Sequence, residues 1–356
     1  MANKSSKSES PSKSVEQRLA RLEQKSKGVS QRAYATRLRA VYTQLTSAAK
    51  DPTPALALHR AGARTPLFQL ECLGRLHRAT IDDDAFLPVH QAFKALEDLL
   101  GAVDFADAMV KRLGAANTDS ELGAYFVGRR AEACFQFERH LAIAKWLPEG
   151  DEIPDALDAL LELLEECDWP GAKREKKAVA EYFADCAEGM HEKLSAGEYN
   201  FAELEAGVHE VRRKVRWLSI LPAALDGLIV RPANQKIDAE LAPYCTDAVV
   251  RSPFNDFPMR ESVPDPIVVD SPAFLALSWL IAELGSIKDR GQTSDAVSSA
   301  ARDLGDGPKA ATSRARKVLG DAPLSHEEIA AKVEPMVARF VELGVLERLA
   351  KSAKKI

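Results

Sequence analysis

His209, Arg212, Arg213 and Arg216 are the residues of this chain whose types and spacing point most directly to chemistry. On a helix at about 100° per residue they share roughly 100° of arc, while Val208, Val211, Val215 and Leu218 fall opposite. One side can pack while the other presents a cationic strip, with Lys214 and Trp217 at its edges. Arginine's planar fork makes paired, charge-assisted contacts to phosphate, and spacings of three and four set neighbouring forks side by side. His209 adds a further polar contact. This is binding chemistry. The plainer reading of the same residues is a solvated basic face neutralised by Glu203, Glu205 or Glu210.

Other constellations carry less. Arg75, His77 and Arg78 form a second, smaller cluster, with Arg75 and Arg78 one helical turn apart. Asp82-Asp83-Asp84 has the look of a diphosphate–metal motif, but it precedes a helix and reads as N-terminal capping. Glu188 precedes His191 by three residues without the second such pair that a di-iron bundle requires. Gly305, Gly307 and Gly320 lack a nucleotide-loop context. No cofactor, metal ligand or catalytic residue is assigned, and the chain reads as a binding protein more than an enzyme. A phosphate-ester enzyme dependent on Asp82 or Asp83 is the distant alternative.

The strip stands out because the chain's formal net charge is −5, so its positive charge is local. That balance, with four tryptophans and six tyrosines, argues against a general nucleic-acid binder. Five widely spaced cysteines, Cys72, Cys134, Cys167, Cys186 and Cys245, show no metal or disulfide pattern and read as small core residues. No apolar leader and no run of 18 apolar residues occur, so a cytoplasmic location without membrane contact is expected.

The elements that must hold these residues are helical almost throughout. Residues 1–29 read as a disordered or charged arm, disordered over 1–14 with a short helix over 15–27. Helices are predicted over 31–49, 66–80, 86–100, 103–114, 119–146, 154–167, 173–195 and 200–225, the last carrying the strip. Residues 231–272 are proline-rich, with one short helix near 236–244, and are expected to cover a face of the bundle. Helices resume over 273–288, 292–304, 308–319 and 325–349, and Lys351–Lys355 is expected to fray. The fold class is all-α: a first helical half over 30–150 and a second over 151–350.

The run His209-Glu-Val-Arg-Arg-Lys-Val-Arg-Trp217 resembles the basic signature of CHAD domains, the conserved histidine α-helical domains. His209, Arg212 and Arg216 match the first three of its five positions, while Trp217 and Ser219 replace basic residues at the last two. Leu284-Gly285-Ser286-Ile287-Lys288-Asp289 resembles the leucine–glycine element of such domains, and Leu100-Gly101-Ala102-Val103-Asp104 is its counterpart in the first half. Framed on the same signature, Phe68, Glu71 and Leu76 replace expected residues, while Arg75 and Arg78 keep basic positions. The resemblance implies two pseudo-symmetric helical halves and binding of inorganic polyphosphate or another phosphate-rich anion. His209, Arg212, Arg213, Arg216, Lys214, Arg75 and Arg78 are the candidate ligand residues. The alternative is a protein-interaction or assembly scaffold that has lost polyphosphate binding.

Overall fold

A computed structural model describes residues 11–116, 119–148, 150, 152–257, 263–320 and 324–355. Of the disorder expected over 1–14, residues 1–10 lie outside the described residues, while 11–14 are not disordered but form the first turn of a helix. The helices run α1 (Pro11–Gln24), α2 (Val29–Ala48), α3 (Pro54–Arg60), α4 (Arg64–Thr80), α5 (Asp83–Ala116), α6 (Ser120–Ile143) and α7 (Asp155–Glu166). They continue as α8 (Ala172–Ser195), α9 (Glu210–Ala224), α10 (Asp247–Val250), α11 (Ser271–Asp303), α12 (Pro308–Leu319), α13 (His326–Glu342) and α14 (Val345–Ala353). The fold is all-α apart from a two-residue parallel pairing of β1 (Ile229–Val230) with β2 (Ile267–Val268). Where the sequence reading divides the chain once near 150, the compact units interleave. One comprises Met1–Ala106 and Arg129–Glu175, the other Asp107–Gly128 and Lys176–Ile356. The chain passes between them within α5, α6 and α8.

In the first unit α2 packs between α1 and α4. Its core includes Tyr34, Leu38, Leu70, Leu73, Phe86 and Phe93, all almost fully buried. Tyr34, His77, Phe86 and Trp169 meet with ring centroids 5.2–6.3 Å apart, a range suited to aromatic packing. Far from floating free, α1 buries Val15, Leu19 and Leu22, and Arg18 pairs with Asp158 and Glu165 of α7. The start of α2 is capped from a distance: buried Glu175 accepts from the Val29 and Ser30 amides, each at 2.6 Å.

In the second unit α11 is the central element, packing against α9, α12, α13 and α14. A subsidiary core joins Val297, Ala300 and Ala301 to Leu122, Phe126, Ala311 and Ala315. The proline-rich segment leaves and returns through the β1–β2 pairing, where Ile267 N–H donates to the Leu228 carbonyl at 2.7 Å. The helix expected near 236–244 is only a 3₁₀ turn, Ala242–Tyr244, followed by α10 and a second 3₁₀ turn at Pro253–Asn255.

Several helix boundaries differ from the sequence expectation for identifiable reasons. A short helix not expected between 49 and 66, α3, opens at Pro54, since a first-turn proline gives up no intrahelical hydrogen bond. Gly101 and Gly291 interrupt nothing: each lies inside a continuous helix and admits a neighbouring side chain, Arg64 and Leu204 respectively. Gly344 does divide the last predicted helix, because its φ of +60° is left-handed and ends α13. Lys351–Lys355 is not frayed as a whole. α14 runs through Ala353, which is fully buried, and Lys354 pairs with Glu188 at 2.7 Å.

Candidate functional site: the basic helix of the second unit

The basic helix starts in an uncommon way. A six-residue π-helix, Leu204–His209, runs directly into α9. π-turns are wider than α-turns and are costly to form, so local packing must support them. Here Gly207 lies so close to the Asn200 carbonyl that no Cβ fits. From Glu210 onward the α period holds, and the apolar side is buried as expected: Val208, Val211 and Val215 are fully buried and Leu218 nearly so.

The polar side is cationic but not bare. His209 Nδ1 lies 2.6 Å from Glu205 Oε2, and Gln292 Nε2 of α11 donates to Glu205 Oε1 at 2.7 Å. Burial works against the Glu205 anion, yet its bonds to Gln292 and His209 prevail and hold it below the usual carboxylate value. Arg213 pairs with Glu210 at 2.5 Å, and Lys214 reaches the same carboxylate at 3.4 Å while lying over the Tyr199 ring. Glu210 is likewise held low by Arg213 and Lys214 against the cost of burial. Of the three neutralising glutamates the sequence offers, Glu205 and Glu210 act on the strip.

Arg212 is positioned differently. Its Nε donates to the Ile281 carbonyl of α11 at 3.3 Å, and its guanidinium packs on Gly285. A Cβ at Gly285 would lie 2.9 Å from Arg212 Nε. One turn beyond Gly285 on α11 stands Lys288, largely buried and 2.8 Å from Asp289 Oδ1. Lys288 is also close enough to Glu205 to help lower that carboxyl. His209, Gln292 and Lys288 therefore gather around Glu205. The sequence reading missed Lys288 and Gln292 as members of this group. The signal available for Lys288 was its place in the leucine–glycine element.

The first unit holds a related but closed arrangement. Arg64 crosses Gly101 of the other leucine–glycine element, where a Cβ would meet its Nη2 at 3.0 Å. Arg64 Nε donates to Glu97 Oε1 at 2.9 Å, Nη1 pairs with Asp104 at 2.5 Å, and the Phe68 ring lies 5.3 Å away. Burial pushes the Glu97 carboxyl up, although Arg64 opposes the shift. The arginine over the glycine is thus Arg64, seven residues before Glu71, the position matched to Arg212 in the sequence frame. Arg78 donates to Asp83 at 2.7 Å and to His90 Nδ1 at 2.8 Å, and Arg75 is half-buried. Arg75 and Arg78 belong to the first unit, whereas His209, Arg212, Arg213, Lys214 and Arg216 belong to the second.

The weaker sequence candidates have structural employment. Asp82 Oδ1 accepts from Ala85 N–H at 2.9 Å, which is capping. Glu188 pairs with Lys354, and His191 lies 3.5 Å from Glu347. No cluster of three or more potential metal ligands occurs among the described residues. All five cysteines are free thiols, and the core reading holds for Cys72 and Cys134, whereas Cys167 and Cys245 are half-buried and Cys186 is exposed. No described helix is long and apolar enough to cross a membrane. No family model, curated protein or solved structure matches the chain.

Proposed function

We propose that the α9–α11 face of the second unit binds a phosphate-rich anion, with inorganic polyphosphate the best-fitting class, and performs no covalent chemistry on it. The observation that carries this reading is Arg212, fixed across Gly285 between Ile281 and the turn that bears Lys288. A guanidinium held in place loses little further freedom when it meets phosphate, which favours binding. Arg213 keeps about half of its side chain exposed and stands beside it on α9. Glu205 and Glu210 act as internal anions that a stronger polyanion displaces. In the first unit, by contrast, Arg64 is already paired with Glu97 and Asp104.

The test is calorimetric titration of the full chain with medium-chain polyphosphate, at low and near-physiological salt, beside an Arg213→Glu/Arg216→Glu variant. Saturable binding by the parent that weakens with salt, and is lost in a variant of unchanged circular dichroism, supports the reading. Absence of binding at both salt concentrations overturns it. A protein-interaction role is the second reading, favoured by exposed Val127 and Phe135 on α6.

A further inference from the structure

His209 is the one member of the cationic strip whose charge changes near neutral pH. Its two ring nitrogens stand in different surroundings. Nδ1 lies 2.6 Å from Glu205 Oε2, and Gln292 and Lys288 of α11 attend the same carboxyl. Burial opposes the Glu205 anion, but its bonds to Gln292 and His209 keep it a carboxylate. A carboxylate accepts and cannot donate, so Nδ1 carries the hydrogen. Nε2 has no hydrogen-bond partner among the described residues, and the side chain keeps 34% of its surface exposed. The proton that His209 gains or loses therefore belongs to Nε2.

The charged groups around this ring all belong to the second unit. Arg212, Arg213, Lys214 and Arg216 of α9, with Lys288 of α11, oppose a second proton on the ring. Glu205, Glu210 and Asp289 favour it, and Glu203, bonded to Asn200, stands just before the π-helix. α13 also packs against the π-helix, with Ile329 and Leu204 converging on Gly291. On that helix His326 lies 3.7 Å from Asp295, Glu328 accepts from the Ser325 amide, and Glu327 and Lys332 are exposed. In the free chain the cations and carboxylates counter one another. A polyanion seated on the arginines cancels the cations and adds to the carboxylates, so the charged ring is favoured in the complex.

We infer that polyphosphate binding at the α9–α11 face, the reading on which this rests, draws a proton from solvent onto His209 Nε2 and is thereby regulated by pH. The complex holds more protons than the free chain, so affinity rises as pH falls through the histidine range near about 6.5. One ring takes up at most one proton, which limits the change to about tenfold per pH unit. Affinity levels off in acid, where His209 is charged in both states.

Calorimetric titration of the full chain with medium-chain polyphosphate, at pH 6, 7 and 8, tests the inference. Each pH is run in two buffers of different ionisation heat, which counts the protons exchanged. The parent is expected to bind about three- to tenfold more tightly at pH 6 than at pH 8, with net proton uptake at pH 7. Terminal phosphates of the ligand titrate in the same range, so His209→Gln, checked by circular dichroism, supplies their baseline. That variant is expected to bind with uptake reduced to the baseline. Glu205→Gln keeps the ring but removes its carboxylate, so the free ring holds its proton less firmly and uptake on binding should increase. The His209 ring resonance, followed over pH, should show its midpoint rise by about one unit when polyphosphate is present. Saturable binding with a stationary His209 midpoint, or with the parent's full uptake retained in His209→Gln, overturns this inference and leaves the anion site standing. Absence of binding at all three pH values overturns both.

Discussion

Arg212 and Gly285 form one contact between two helices: the guanidinium occupies the space that any side chain at 285 would fill. The group in the way is the far end of a flexible side chain, so Gly285→Ala displaces Arg212 without a backbone clash. Alanine also favours the helix over glycine by about 1 kcal/mol. Gly285→Ala should therefore leave the urea midpoint unchanged or raised while weakening polyphosphate binding several-fold. Loss of both stability and binding would show that Arg212 is a structural prop instead.

Gly74 provides the contrast, because a Cβ there meets the His90 backbone, Cα at 2.9 Å and N at 3.0 Å. Backbone cannot swing aside. Gly74→Ala should cost about 1–3 kcal/mol despite its better helix propensity, read as a lowered urea midpoint.

Glu205 and Glu210 compete internally for the strip's cations. Replacing both with glutamine removes two negative charges from the face and keeps the side-chain shapes. The double variant should bind polyphosphate more tightly, by about three- to tenfold at low salt, with a smaller gain at high salt. Unchanged or weaker affinity in the calorimetric titration would place the anion elsewhere.

Buried Glu175 satisfies two amides at the start of α2, Val29 and Ser30. Glu175→Ala leaves both donors without their acceptor and should cost about 2–4 kcal/mol, measured by chemical denaturation. Glu175→Gln keeps one acceptor oxygen and should recover part of the loss.

Burial pushes the His77 imidazole down to about 3, so the folded chain keeps it neutral. The unfolded chain binds the proton near the ordinary value of about 6.5. Between those two values the unfolded state holds more protons, so this residue's contribution to stability falls as pH falls from 6.5 toward 3. The expected slope from this residue is about 1.4 kcal/mol per pH unit. His77→Leu should flatten the parent's stability curve by that amount between pH 6 and 4.5, followed by denaturation at each pH.

The helical fold was legible because burial on one side of a helix imposes a 3.6-residue period, and Val208, Val211, Val215 and Leu218 carry it openly. The strip opposite them followed from the same arithmetic, and so did Asp82 as a cap. What the sequence by itself determined, then, was which residues share a side of one helix and where short-range hydrogen bonding starts or ends it. Tertiary structure decided what those sides meet. Gly101 and Gly291 could be read as breaks because a glycine's local preference does not reveal a side chain arriving from another element. Arg64, rather than a residue two turns later, was assigned to the first leucine–glycine element by the antiparallel packing of α4 on α5. The exposed cysteine, the distant cap at Glu175 and the exposed Val127 and Phe135 of α6 are of the same kind. Each depends on contacts between residues far apart in the chain, and sequence periodicity carries no information about such partners.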